Sequence, residues 1–123
     1  MLKKRVKLIR QMEYSECGLA SLLMILNYYG YEVPLTVFRE KYPCPRGGFS
    51  LYELYRIAQL EQLEPEAFRV DLEDIPKDYL PCILHYERGH FVVLEAYKKN
   101  KYTIIDPSSG KRRISFSELK SEY

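Results

Sequence analysis

The sequence predicts a single α+β domain in which helices of the first half pack on an antiparallel sheet formed by the second half. Apolar residues recur at helical spacing up to about residue 60, whereas from residue 82 onward they fall in short runs separated by turn signals. Helices followed by strands, rather than alternating with them, are typical of this fold class. The length of 123 residues suits one core, so we expect residues 1–123 to form one unit.

The strongest helix signal follows Cys17. Four leucines recur at i, i+3, i+4 and i+7, and most positions between them are also apolar, which predicts a buried central helix. These four residues are Leu19, Leu22, Leu23 and Leu26. Ser15 is the predicted N-cap and Gly30 the predicted C-terminal stop. Residues 6–11 partly alternate, so we expect a short strand or an extended entry segment there.

Two further helices are predicted before the sheet. The first begins near Pro34 and runs through Glu40, and the prolines and glycines of residues 43–48 then form a loop. The second begins after Ser50, whose side chain we expect to form a capping box with Glu53. Its expected apolar stripe consists of Leu51, Leu54, Tyr55 and Ala58.

The second half of the chain is predicted to be extended. Alternating or apolar runs bounded by turn residues occur at 68–72, 82–86, 91–97, 101–105 and 111–116. Residues 98–100 (Lys-Lys-Asn) are a hairpin signal between the third and fourth of these runs. Neighbouring runs should therefore pair in antiparallel fashion.

Composition excludes several classes of function. The net charge is only +2, and basic residues cluster in just two runs, 3–5 and 111–113, which we interpret as solvated surface rather than a nucleic-acid-binding face. No apolar run approaches the ~20 residues that a membrane-spanning helix needs. Three cysteines without CxxC spacing indicate neither a metal site nor a disulfide framework. We therefore expect a reducing, cytoplasmic environment.

Cys17 is the candidate nucleophile. It lies at the start of the predicted central helix, where the helix dipole and free backbone N–H groups favour a thiolate. The following glycine, Gly18, is expected to leave room for a substrate backbone. The competing interpretation is a small buried hydrophobe, the commoner fate of a free cysteine. Cys44 and Cys82 have no histidine or carboxylate arranged around them in sequence, so we interpret both as structural.

His90 and Asp106 are candidates for the base and for the residue that orients it. His90 follows a glycine turn at the start of an apolar strand, whereas His85 lies inside a strand, where packing is the better explanation. Asp106 ends the strand expected to pair with the His90 strand, which would bring the two side chains within hydrogen-bond reach. A carboxylate there would fix the histidine tautomer. The alternative for Asp106 is an Asp-Pro turn opener.

Gln11 is a candidate oxyanion donor. It lies six residues before Cys17, so its side-chain amide can point across a turn at the carbonyl that the thiolate would attack. Together with the backbone N–H of Cys17 it would form a two-donor oxyanion hole. For an isolated glutamine, a solvent-facing side chain is the simpler interpretation.

These residues fall in blocks that resemble a known family. Residues 11–20 (QMEYSECGLA) resemble the signature of the bacteriocin-processing, double-glycine leader peptidases, which are papain-like domains at the N-termini of peptidase-containing ABC transporters. That signature is Gln, five residues, Cys-Gly and a small or apolar pair. Residues 89–94 resemble the family's histidine block, and residues 105–107, with the Gly110 turn after them, resemble its Asp-Pro block. The resemblance covers nearly the whole chain and implies the papain-like fold.

The resemblance also implies an activity and partners. The domain would cut a precursor after Gly-Gly or a similar pair, and the freed bacteriocin, lanthipeptide or signalling peptide would be exported by a fused transporter. Proteolysis would need no cofactor, with ATP used only by the nucleotide-binding domains of such a transporter, at the inner face of the bacterial membrane. An amphipathic leader helix would dock in a groove, whose candidate residues are Tyr52, Leu54, Tyr55 and Phe68.

Two alternatives remain at this point. A catalytically silent domain that only docks the transport substrate is disfavoured, because the chain retains Cys17, His90, Asp106 and Gln11. Another papain-like thiol enzyme, such as an acyltransferase or a deconjugating enzyme, would use the same residues and is disfavoured only by the family signature.

Overall fold

The computed structural model describes residues 4–123, and within them three α-helices precede an antiparallel sheet, as predicted, while a fourth follows it. The regular elements are α1 (Cys17–Tyr28), α2 (Leu35–Lys41), α3 (Leu51–Leu60), β1 (Cys82–His85), β2 (Phe91–Lys98), β3 (Lys101–Asp106), β4 (Gly110–Ser115) and α4 (Phe116–Glu122). Residues 6–11 form no strand, and residues 68–71 form none either. The predicted strand at 68–72 is therefore wrong.

The sheet is an antiparallel meander in the order β1-β2-β3-β4. The predicted hairpin between β2 and β3 is confirmed, and Lys99 adopts the positive φ of 55° that its tight turn requires. One face of the sheet packs on α1, with Val93 and Ile105 against Met24. The opposite face is covered in part by α4, whose Leu119 is fully buried. The sheet therefore separates two apolar clusters.

Helix α1 is the buried central helix that the leucine pattern predicts. Every residue from 18 to 26 is buried. The helix ends in a Schellman motif, in which Gly30 (φ +101°) donates its N–H to Asn27 O at 3.0 Å and Tyr31 donates to Leu26 O at 2.9 Å. The prediction of Gly30 as the C-terminal stop is confirmed.

The start of α1 differs from the prediction. Ser15 is not an N-cap, because a 3-10 turn, Tyr14–Glu16, leads the chain into the helix. The carboxylate of Glu16 instead reaches back and accepts the backbone N–H groups of Met12 at 3.1 Å and Glu13 at 2.8 Å. This glutamate therefore closes the 3-10 turn, and no side chain within residues 4–123 caps α1 itself.

Helix α3 begins as predicted but buries a different stripe. Ser50 and Glu53 form the expected capping box, with N–H to oxygen distances of 2.8 and 3.1 Å. Leu54 is buried, but Leu51 is exposed, and Ile57 takes its place in the core. A helix that packs on one side only needs a stripe about 100° wide, and the first residue after the cap lies outside it here.

The C-terminal helix and the exposed basic residues complete the description of the fold. The predicted last strand ends at Ser115, which caps the unpredicted helix α4 through Glu118 N at 3.2 Å. Residues 111–113 are exposed, as expected for solvated basic side chains. Lys4 and Arg5 of the first basic run are also exposed, and residue 3 lies outside the described residues. None of the helices in residues 4–123 is long and apolar enough to cross a membrane.

Candidate active site

Cys17 is the first residue of α1, and the packing around it explains the glycine that follows. Gly18 is buried, and a Cβ there would lie 2.9 Å from Leu54 Cδ1 and 3.1 Å from Phe91 Cδ2. The prediction that Gly18 leaves room for substrate is therefore wrong. Instead, the missing side chain allows α3 and β2 to pack closely against the start of α1, which fixes the position of the half-buried Cys17 thiol.

His90 is held at the start of an inner strand by a closed turn. It immediately precedes β2, and its carbonyl accepts the N–H of Tyr86 at 2.7 Å. Within this turn Gly89 adopts a φ of +89°, which favours glycine, and donates its N–H to Tyr86 O at 2.8 Å. The side chain of His90 is only 14% exposed, so its ring is held in one place.

The predicted contact between His90 and Asp106 is present. His90 Nε2 lies 2.8 Å from Asp106 Oδ1. The β2–β3 register pairs Val93 with Ile105, so the next step along the ladder sets Asp106 diagonally across from His90 on the same face. Diagonal cross-strand neighbours are within reach of long side chains.

Ser108 is a further member of the site that the sequence did not indicate. Its backbone N–H (2.8 Å) and its hydroxyl (2.7 Å) both donate to Asp106 Oδ1. Asp106 also accepts the N–H of Ser109 at its carbonyl at 3.2 Å, so it opens a turn as well as contacting His90. An aspartate followed two residues later by a serine is an Asx-turn pattern, which is the signal that would have identified Ser108.

The electrostatics of the site favour a charged pair. Burial raises the pKa of the Asp106 carboxyl, but the donors from His90 and Ser108 outweigh it and hold that pKa well below its usual range. The hydrogen bond to Asp106, with a further one to Cys17, raises the pKa of His90 to about 9. Burial raises the pKa of the Cys17 thiol, yet hydrogen bonds from His90 and the Phe91 backbone lower it overall. Because Nε2 is bound to Asp106, Nδ1 is the ring nitrogen that remains for the thiol.

The second histidine takes no part in this arrangement. The ring of His85 stacks on Phe91, with centroids 4.1 Å apart and planes at 13°. Burial lowers the pKa of His85, the opposite direction from His90. His85 is the last residue of β1 and is exposed, so the expectation that it lies inside a strand is wrong, although its ring does pack on Phe91.

Gln11 lies beside the site, but its amide is engaged elsewhere. Nε2 donates to the carbonyls of Glu13 and Tyr14, both at 3.1 Å, and the buried Oε1 has no hydrogen-bond partner. The backbone N–H of Gln11 donates to Pro107 O at 3.0 Å, which ties this residue to the turn that carries Asp106. Donation to an oxyanion requires one of its two amide hydrogens to be shared or released, so that role stays a prediction.

The other cysteines have different surroundings. The Cys44 thiol donates to Ser15 O at 3.3 Å, and burial raises its pKa. Burial raises the pKa of Cys82 to about 12. In residues 4–123 no three His, Cys, Asp or Glu side chains are grouped as metal ligands.

The candidate groove residues divide into two groups. Tyr52 is 71% exposed and Phe68 is 53% exposed, and the Phe68 ring stacks on Tyr79 with centroids 5.4 Å apart. Tyr55 is half-buried. Leu54 is only 2% exposed and packs in the core, so its inclusion among the groove residues is wrong. Its place on the inner side of α3, against Gly18, explains why it is not available to a ligand.

Comparison with known proteins identifies relatives across nearly the whole chain. The sequence profile of the peptidase C39 family matches residues 5–123. The colicin V secretion/processing ATP-binding protein of Escherichia coli is 37% identical over 121 residues, and the probable microcin-H47 secretion/processing ATP-binding protein of the same species is 35% identical over 121 residues. Both alignments cover 98% of this chain but only 17% of the relative's length.

A solved structure supports the same assignment. The fold superposes with a TM-score of 0.86 and 33% identity on a double glycine motif protease from an AMS/PCAT transporter, crystallised in complex with the leader peptide. The match covers 98% of this chain and 87% of that one. These findings confirm both the family resemblance and the predicted fold: the chain belongs to the peptidase C39 family of papain-like cysteine peptidases.

Proposed function

We propose that this chain is the endopeptidase that removes the leader from a secreted peptide precursor by cutting after a Gly-Gly-type pair. The observation that carries the proposal is the contact series from Cys17 through His90 to Asp106, built at the start of a buried helix. A thiol, an imidazole and a carboxylate in this order are the parts of a thiol-protease site. The relatives named above process and secrete peptides, which suggests the substrate class.

In the first chemical step the Cys17 thiolate attacks the carbonyl carbon of the residue before the scissile bond. Negative charge develops on the carbonyl oxygen, and we propose that the backbone N–H of Cys17 and one hydrogen of the Gln11 amide, released from the Glu13 or Tyr14 carbonyl, donate to it. The imidazolium of His90 then donates its proton to the leaving amine nitrogen, the C–N bond breaks, and a thioester remains on Cys17.

The second step releases the leader. His90, now neutral, accepts a proton from water, which attacks the thioester carbonyl. The resulting intermediate collapses with Cys17 as the leaving group, and the leader departs with a free carboxylate. Asp106 keeps the ring in one orientation throughout and stabilises its positive charge.

Leader recognition requires a surface apart from the site of cleavage. A Gly-Gly pair has no side chains for a pocket to hold, so a narrow channel beside Cys17 selects it by exclusion and supplies little affinity. We infer that affinity comes from the apolar face of an amphipathic leader helix. Exposed aromatic side chains at Tyr52 and Phe68, with half-buried Tyr55, are the contacts that we propose.

We further propose that the domain works as part of a peptide exporter. Its relatives are ATP-binding secretion and processing proteins of which this chain spans a small part. The partners would be transmembrane and nucleotide-binding domains, and the site would face the cytoplasm, where the precursor is made. Proteolysis itself is expected to need no cofactor, so cleavage should proceed at an unchanged rate in EDTA and without ATP.

Incubation with a synthetic precursor tests the proposed reaction. We expect mass spectrometry to show cleavage of an amphipathic leader immediately after its Gly-Gly pair, and no cleavage by the Cys17→Ala variant. A Cys17→Ala protein that binds the precursor while the native protein fails to cut it would instead identify a docking domain. Transfer of an acyl group to an added amine without hydrolysis would identify another thiol enzyme.

Two changes in the substrate and two in the protein test leader recognition. Replacing the last glycine of the leader by valine should stop cleavage while binding measured by calorimetry persists. Tyr52→Ala and Phe68→Ala should raise KM with little change in kcat, whereas Tyr29→Ala, which alters an equally exposed tyrosine at the end of α1, should change neither. Equally efficient cleavage of a short peptide holding only Gly-Gly and its flanks would contradict remote recognition.

A further inference from the structure

We propose that the Glu16–Arg39 ion pair is a positioning device for Gln11, one of the two oxyanion donors; this inference rests on the proposed peptidase function. Glu16 immediately precedes Cys17 and is 3% exposed, which is unusual for a carboxylate. Nothing in the proposed chemistry uses it directly. Its contacts show what it does instead.

The two carboxylate oxygens of Glu16 have separate partners. Oε1 accepts the backbone N–H groups of Met12 at 3.1 Å and Glu13 at 2.8 Å. Oε2 accepts Nε–H of Arg39 at 2.5 Å. One oxygen thus closes the turn that precedes α1, and the other fastens this turn to α2.

Arg39 secures the same turn from the outside. Its Nη2 lies 4.0 Å from the Glu13 carboxylate, and its Nη1 lies 3.3 Å from Met12 Sδ. A buried carboxylate is costly unless it is paired and hydrogen-bonded, and an apolar pair of the same shape often stabilises a fold as well or better. Stability alone therefore gives little reason for a charged pair at this place. A need to hold the turn in one geometry does explain it, because charge-assisted hydrogen bonds are strong and directional.

The geometry matters because both proposed oxyanion donors belong to this turn. Gln11 directly precedes the segment that Glu16 holds, and its amide is oriented by the carbonyls of Glu13 and Tyr14. The backbone N–H of Cys17 is at the other end of the turn. Glu16, together with the bond from Gln11 N–H to Pro107 O, therefore fixes where the Gln11 amide lies relative to that N–H. A displacement on the order of 1 Å at such a site can cost about 10²-fold in rate.

The thiolate–imidazolium pair does not depend on this turn. Cys17 is fixed by the packing of α1, and His90 by the turn before β2. Loosening the 11–16 turn should therefore impair only the reaction that develops an oxyanion. Alkylation by iodoacetamide is a displacement at a saturated carbon that develops none, so it reports on the thiolate alone.

The test compares Glu16→Gln and Arg39→Gln with a matched control. Lys41→Gln removes a cation of the same helix α2 from another buried carboxylate, Glu61, at 2.8 Å and away from the 11–16 turn. With the synthetic precursor we expect kcat to fall ~10-fold or more in both test variants, with KM unchanged and alkylation of Cys17 within about twofold of the native rate. The control should keep native kcat.

A double-mutant cycle with Gln11→Ala separates positioning from general damage. If Glu16 acts through Gln11, Glu16→Gln should cost less than about twofold in kcat once Gln11 is alanine. Equal losses in both backgrounds, slowed alkylation, or native kcat in the test variants would overturn the inference. Arg39→Gln, made at the more exposed partner, serves if Glu16→Gln does not fold. Absence of any cleavage by the native protein would instead refute the proposed function itself.

Discussion

Replacing Asp106 by asparagine should make catalysis far more sensitive to rising pH. The substitution keeps the size of the side chain but removes the charge whose hydrogen bond to His90 is the largest cause of the raised histidine pKa. His90 has to carry its proton until the leaving amine accepts it. The His90 pKa lies at about 9 in the native protein, and loss of the carboxylate moves it toward the ordinary value of 6.5.

The size of the effect follows from these two values. At pH 8 an imidazole of pKa about 9 is roughly 90% protonated, whereas one of pKa 6.5 is about 3% protonated, a loss of up to ~30-fold. At pH 6 the corresponding loss is only about 1.3-fold. The native-to-variant ratio of kcat/KM should therefore grow by up to ~20-fold between pH 6 and pH 8. Any loss of ring orientation is common to both pH values and cancels in this comparison.

Two measurements check this prediction. The first is kcat/KM from pH 5 to 10, in which the alkaline limb of the variant should lie at lower pH than that of the native protein. The second is NMR titration of the ring protons of the only two histidines, His85 and His90, which the opposite directions of their pKa shifts keep apart. Asp78→Asn, at an exposed aspartate in another turn, is the control. Identical alkaline limbs in native protein and Asp106→Asn would refute the assignment of Asp106.

Three further predictions concern the thiols, the helix start and the second histidine. Iodoacetamide near pH 7 should modify Cys17 first, because its pKa is lowered while the pKa of Cys44 is raised and that of Cys82 is raised to about 12. Peptide mapping that finds Cys44 modified first would contradict this. Gly18→Ala should lower the free energy of unfolding by about 1–3 kcal/mol in urea titrations, since its methyl group overpacks two fixed side chains. His85→Ala should lower the melting temperature but leave kcat within about twofold; a loss as large as that of a general base would reassign it.

The parts of the fold that the sequence predicts are those fixed by local signals. The leucines of α1 and the capping box at Ser50 each lie within one stretch of chain, so the pattern alone locates the elements. Helix α4 was not predicted, because seven residues are too few to show a helical repeat of apolar positions. Its N-cap, Ser115, is also the last residue of β4, so the pattern of the strand runs directly into the helix. The extended reading of residues 68–72 failed because that stretch finds no partner strand.

The candidate site divides along the same line. Cys17, His90 and Asp106 were predictable because each stands at the end of an element and the hairpin fixes how two of them meet. Glu16 and Arg39 were not, because their contact joins α2 to a turn that no sequence pattern connects to it. Tertiary contacts between polar side chains leave no period in the sequence, so the supports of the site become visible only in the structure.

The pKa directions also refine the role given to His90. The Cys17 thiol has a pKa below its ordinary value of 9.0, and the neighbouring imidazole has a pKa raised to about 9. Near neutral pH the His90 ring therefore carries a proton, and the Cys17 thiolate forms at a lower pH than in an unperturbed cysteine. His90 then acts as an acid toward the leaving amine during acylation and as a base only toward water during deacylation. Asp106, which contacts Nε2 and is itself held by two donors from Ser108, stabilises the positive ring whose Nδ1 proton passes to the leaving amine, so the turn after β3 supports the reaction of Cys17.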